Sequence, residues 1–149
     1  SYVSQNIEQY NFGQEVDNVS RRYHDFFCVV LMSLICKRFE QGGQPYTANE
    51  LSDAGEIPIR LTNRLLEELE QIGLVYGFSA DAKSETEHYL PAIDINQLSI
   101  GRLLSTIERY GCEDFKIDHT KEFDNQWEAF ITHKQEVYVK SNGILLKDL

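Results

Sequence analysis

TANELSDAGEIPIRLTNRLLEELEQIG, residues 47 to 73, is the stretch that decides the fold. Its opening, Thr47-Ala48-Asn49-Glu50, has the S/T-x-x-E form of a capping box, in which the Thr hydroxyl and the Glu carboxylate satisfy exposed amides of a first helical turn. A short helix is predicted from there to about Ala54. Gly55 and then Ile57-Pro58 interrupt it, and Pro58 suits the first position of a new helix because its missing N–H is not needed there. The second helix carries Leu61, Leu65, Leu66, Leu69 and Ile72 on one stripe, and Gly73 is placed to stop it. The stretch therefore reads as helix, tight turn and helix.

Working outward, Leu74-Val75-Tyr76-Gly77-Phe78 reads as a strand, Ser79 to Glu87 as a polar loop, and His88-Tyr89-Leu90 as a returning strand stopped near Pro91. That is a β-hairpin with an acidic tip. A closing helix is predicted from about Ser99 to Tyr110, with Ile100, Leu103, Leu104 and Ile107 on its apolar side and Gly111 as its stop. Before the helix-turn-helix, Tyr23, Phe26, Phe27, Val30, Leu31 and Leu34 form the stripe of a long helix over residues 19 to 40. Its middle is apolar all round, so the opposite face of Cys28, Met32, Ile35 and Cys36 also needs cover, from the rest of the chain or from a partner. Residues 1 to 18 read as an extended lead-in. Residues 112 to 149 read as a charged tail with a weak helical pattern around Phe123, Trp127, Phe130 and Ile131, then a turn at Asn142-Gly143 and an apolar end, Ile144-Leu145-Leu146, that should dock. The fold class expected is mainly α with one small hairpin, a winged helix-turn-helix over residues 19 to 111.

Composition bounds the function. The 149 residues include 43 Leu, Ile, Val and Phe, enough for a sizeable core, and carry 14 Lys and Arg against 24 Asp and Glu, a formal charge of −10. Any nucleic-acid site must therefore be a local basic face, since phosphate contacts supply most of such affinity. The charge is uneven. Residues 19 to 75 hold six basic and eight acidic side chains, whereas residues 1 to 18 hold three acidic and no basic ones. The three cysteines, Cys28, Cys36 and Cys112, form no CxxC pair, which fits a reducing compartment and no disulfide framework. The apolar run Phe26 to Cys36 spans roughly half of a ~30 Å hydrocarbon layer, so it reads as a buried helix.

Catalytic or metal-binding chemistry finds little support. The four histidines, His24, His88, His119 and His133, are scattered, with no HxH or HExxH spacing. Glu113, Asp114, Asp118 and His119 form the densest acidic patch, and such charge runs are usually solvated. Cys28 and Cys36, on adjacent sides of one helix, read as buried small hydrophobes. No cofactor and no metal site is expected.

The pieces TANELSDAGEIPIRLTNRLLEELEQIGLV and YLPAIDINQLSIGRLLSTIERYG are similar to the DNA-binding region of Rrf2-type regulators. The three closely spaced cysteines that hold an iron–sulfur cluster in many Rrf2 proteins have no counterpart here, so that cofactor does not carry over. A wider resemblance takes in SYVSQNIEQYNFGQEVDNVSRRYHDF, IPIRLTNRLLEEL, YLPAIDIN and the terminal LLKDL, which look like the C-terminal region of Bacteroidetes members of the YihY/BrkB family, inner-membrane proteins historically labelled ribonuclease BN. That resemblance implies a cytoplasmic domain at the inner membrane, following membrane helices upstream of Ser1. The absence of an initiator before Ser1 fits it.

Two functional expectations follow. The first is a non-catalytic interaction or regulatory domain of a YihY/BrkB-type membrane protein, meeting a protein partner or a second copy through helix 19 to 40. The alternative is an Rrf2-like DNA-binding regulator using Arg60, Thr62, Asn63 and Arg64, because a helix-turn-helix puts the N-terminal residues of its second helix into the major groove. Against DNA, the same helix continues with Glu67, Glu68 and Glu70, and the wing carries Asp81, Glu85 and Glu87 against Lys83. On that balance duplex DNA is disfavoured, with Arg60 expected to pair with Glu56 and Arg64 with Glu67 or Glu68. A tRNA-processing ribonuclease, as the old label has it, is the weakest alternative.

Overall fold

In the computed structural model, which describes residues 17–115 and 122–149, the winged helix-turn-helix forms as its sequence dictates. Helix α1 is Arg21–Glu40, α2 is Ala48–Gly55, α3 is Ile59–Ile72, strands β1 and β2 are Val75–Ser79 and Glu87–Pro91, α4 is Ile100–Arg109, and α5 is Asp124–Ser141, followed by a 3-10 turn at Leu146–Asp148. The extended lead-in expected over residues 1 to 18 falls almost wholly outside the described residues. No helix among the described residues is long and apolar enough to cross a membrane.

Local chemistry explains the boundaries. Both halves of the capping box are made at α2: Glu50 N–H donates to Thr47 Oγ1 at 3.2 Å, and Thr47 N–H donates to Glu50 Oε1 at 3.1 Å. The helix ends on Glu56, held left-handed at φ 53°, and Ile57 N–H closes back on Ser52 O at 3.0 Å. Pro58 caps α3 from one residue outside it, and Gly73 ends α3 at φ 88°. Strands β1 and β2 pair antiparallel with Gly77 opposite Tyr89, and a connection absent from the sequence expectations extends them: Tyr89 N–H donates to Tyr46 O at 2.9 Å, bringing the entry to α2 alongside β2.

One core joins these elements, with Leu31, Met32, Leu51, Leu65, Leu66, Leu69, Leu74, Leu98 and Leu103 among its buried residues. Two expectations for α1 need correction. Its buried face is Cys28, Leu31, Met32, Ile35 and Cys36, whereas Tyr23 and Phe26 of the expected stripe are more than half exposed. A helix apolar all round does not say which side the rest of the chain will cover. The cover comes from within the chain, because the C-terminal turn packs on α1 with Leu146 fully buried, Lys147 Nζ reaches Glu40 Oε2 at 2.6 Å, and Leu146 N–H bonds Leu98 O at 3.1 Å. The face of Cys28, Met32, Ile35 and Cys36 is therefore covered within the chain, and the side of the helix left open carries Tyr23 and Phe26.

Candidate nucleic-acid interface

Helix α3 buries Leu61, Thr62, Leu65, Leu66 and Leu69 and turns Ile59, Arg60, Asn63, Arg64, Glu67 and Glu70 outward. That division follows from the 3.6-residue repeat, which puts Arg60 and Arg64 one turn apart on the solvent side. Of the four residues expected to meet nucleic acid, three stand at the outer N-terminal half of the helix. Thr62 is the exception. It is fully buried, and its hydroxyl donates to Pro58 O at 3.1 Å and Ile57 O at 3.4 Å, so it braces the turn between α2 and α3 and presents nothing to a ligand.

The expected local ion pairs do not form. Glu56 sits in the left-handed cap of α2, outside α3, so the helical i, i+4 geometry assumed for Arg60 does not apply, and Arg60 makes no ion pair among the described residues. Arg64 Nη2 instead meets Asp17 Oδ1 at 2.8 Å, a residue from just before α1. Glu68 is taken by His24, whose Nε2 lies 2.6 Å from Glu68 Oε2 while Nδ1 lies 2.9 Å from Asp25 Oδ1. This bridge ties the start of α1 to the middle of α3. Neither Asp17 nor His24 could be found from sequence, since both contacts join residues more than forty positions apart and no spacing rule reports them.

On its other flank, Asn63 faces the wing across a groove lined by Thr47, Asn49, Glu85, Thr86 and Glu87. The wing is as acidic in space as in sequence, and it also exposes Tyr76, whose ring stacks 6.4 Å from Phe78 at an interplanar angle of 9°. Glu70 Oε1 accepts from Gly77 N–H at 3.3 Å, which caps the outer edge of β1. The cationic tip of α3 is thus bounded by carboxylates along the helix and across the groove.

The other candidates are inert or elsewhere. Burial pushes the thiols of Cys28 and Cys36 up to about 12, as expected for packing residues. No group of three His, Cys, Asp or Glu side chains suited to a metal ion occurs among the described residues, while Asp118 and His119 lie outside them. Between α4 and α5 a second groove, about 490 Å³, is lined by Glu108, Arg109, Trp127, Phe130, Ile131 and Lys134 among others. There Glu108 accepts from Lys134 at 2.5 Å and from the Tyr138 hydroxyl.

Comparison with solved structures assigns the fold. The chain is similar to T. potens IscR, with a TM-score of 0.58 and 19% identity over 88% of this chain and 84% of that one. It is similar also to CymR, described as the global cysteine regulator of B. subtilis, at a TM-score of 0.58 and 13% identity, covering 88% and 94% of the two chains. The oxidized form of Staphylococcus aureus CymR matches at 0.57 and 16% identity over 87% and 93%. The architecture is the winged helix of Rrf2-type regulators. No protein-family profile matches the chain, and no curated protein does, so the YihY/BrkB resemblance finds no support in these comparisons.

Proposed function

We propose that this chain is a non-catalytic regulatory domain that binds duplex DNA through the N-terminal half of α3. The observation that carries the proposal is the outward presentation of Arg60, Asn63 and Arg64 at the end of the helix that a helix-turn-helix inserts into the major groove. The fold shared with IscR and CymR supports it. Arg is suited to guanine edges or phosphates and Asn to adenine edges, so this small set can both grip and read. The acidic wing argues that backbone contact comes from α3 and its flanks, and that affinity is modest and steeply salt-dependent.

Pairing of two copies would double the contacts. Helix α5 supports it, because it has no buried residue and exposes Phe130, Val137 and Val139. A membrane tether of the YihY/BrkB kind is not needed for this function. The wing favours a second partner class on one observation: a surface of Asp81, Glu85, Glu87 and exposed Tyr76 is better matched to a basic protein surface than to phosphate.

Titrating a labelled duplex at several salt concentrations tests the DNA function. Binding at low salt should weaken in Arg60→Ala and lose about one unit of the slope of log K against log salt. Absence of duplex binding at low salt, or binding that Arg60→Ala combined with Arg64→Ala leaves untouched, would sink it.

A further inference from the structure

We infer that Asp17 is an intrachain competitor for the DNA-binding face, holding Arg64 against a carboxylate that a phosphate must displace. The inference rests on the DNA-binding function proposed above and concerns its regulation. Arg64 is one of the two arginines on the exposed side of α3, one turn from Arg60. Its guanidinium is already engaged: Nη2 lies 2.8 Å from Asp17 Oδ1, across a separation of 47 residues. A carboxylate on an arginine at the tip of a recognition helix has the charge and the oxygen acceptors of a DNA phosphate, and occupies the same donor.

The placement is built. His24 bonds Glu68, one turn further along α3 than Arg64, and the same ring bonds Asp25, so the first turns of α1 are fixed against this side of α3. Ser20 caps α1 by accepting from Tyr23 N–H at 3.2 Å. Residues 17 to 20, which lead into α1, therefore bring the Asp17 carboxylate to Arg64. The entering residues 1 to 18 contain Glu8, Glu15 and Asp17 and no Lys or Arg, so nothing in that sequence could offer phosphate a compensating cation.

The contact is also openable. The side chains are 43% and 57% exposed for Arg64 and Asp17, and an exposed ion pair of this kind shifts an equilibrium by roughly twofold to fivefold, screened by salt. That is the size of a brake, not a lock. It lowers affinity for arbitrary duplex, yet a site whose bases engage Arg60 and Asn63 can overcome it, which sharpens discrimination between specific and arbitrary sequence.

The test uses the full chain and a mixed-sequence duplex of about two helical turns. Asp17→Asn keeps size and polarity but removes the charge, and should tighten low-salt binding by about twofold to fivefold. It should also steepen the slope of log K against log salt by about one, because Arg64 now neutralises a phosphate of its own. The same substitution made on Arg64→Ala should give no such gain. An unchanged affinity in Asp17→Asn, with Arg60→Ala still weakening the wild type, overturns the competitor and leaves DNA binding standing. An equal gain in the Arg64→Ala background overturns it too, since the effect would then be net charge alone. No binding by any variant, Asp17→Asn included, overturns both, because release of Arg64 from the Asp17 carboxylate would then create no phosphate site.

Discussion

Helices α1 and α5 are of similar length, 20 and 18 residues, and both carry aromatic and β-branched side chains, yet α1 buries five residues and α5 none. Helix α1 is gripped on several sides, by α2, α3, β2 and the C-terminal turn. The main contact of helix α5 among the described residues is with α4, where Ile131, Lys134, Tyr138 and Ser141 are part-buried, while Phe130, Val137 and Val139 are exposed. Helix α1 is the more apolar, with 12 such residues of 20 against 7 of 18 in α5, and the topology also brings more elements to it. The winged-helix core should behave as the stable unit, and α5 as an arm that docks, undocks and pairs at lower cost.

Substitution on either side of that divide breaks or sharpens the contrast. Leu65 is fully buried where α3 meets the core, and Leu65→Ala should lower unfolding stability by about 2–5 kcal/mol in denaturant titration. On α5, Phe130→Ala should change it by less than about 0.5 kcal/mol at low protein concentration, because the ring is half exposed. Equal effects would mean that α5 belongs to the cooperative core.

An effect smaller than that of Leu65→Ala is expected where the arm is attached. Gly101 is buried at the crossing of α4 and α5, and an added Cβ there would lie 2.9 Å from the carbonyl oxygen of Tyr138 and 2.5 Å from Asn142 Oδ1. Because one of these is backbone, the arm itself must move. Gly101→Val should cost about 1–3 kcal/mol of docking energy and raise amide exchange through α5 while α2 and α3 stay protected. Uniform loss of protection would show instead that the crossing is integral to the core.

The same divide marks what the sequence could tell. The capping box at Thr47 and Glu50, the stop at Gly73 and the leucine stripe of α3 are local devices, and each forms where its residues predict. Arg60 and Asn63 stand outward for the same reason, since helical phase alone puts them there. Thr62 was misread because a hydroxyl in a plausible motif position does not announce that it will turn back to the Ile57 and Pro58 carbonyls. The face of α1, the Asp17–Arg64 contact and the His24 bridge depend on packing between distant segments, for which a uniformly apolar helix and scattered single charges give no period to read.

A smaller effect than that at Gly101 concerns the polar clasp that Lys134 and Tyr138 of α5 make with Glu108. Burial tends to raise the Glu108 carboxyl, but hydrogen bonds from Lys134 and Tyr138 outweigh it and hold the group below the ordinary 4.5. The sign follows: a carboxyl lowered in the folded state stabilises docking above its ordinary value, and that contribution is lost as pH falls through the lowered one. Since the side chains are about a third exposed, the effect should be a fraction of a kcal/mol to about 1 kcal/mol. Trp127, the sole tryptophan, lines the same groove, which Arg109 and Glu113 rim, so its emission reports docking of α5 directly. On acidification below about 4.5 the emission should shift while the far-ultraviolet helix signal of the core persists. In Glu108→Gln the shift should already be present at neutral pH and acid should add little, because no proton is left to compete with Lys134. An acid transition of undiminished size in Glu108→Gln would place the titrating group elsewhere and show that the Glu108 clasp does not hold the arm.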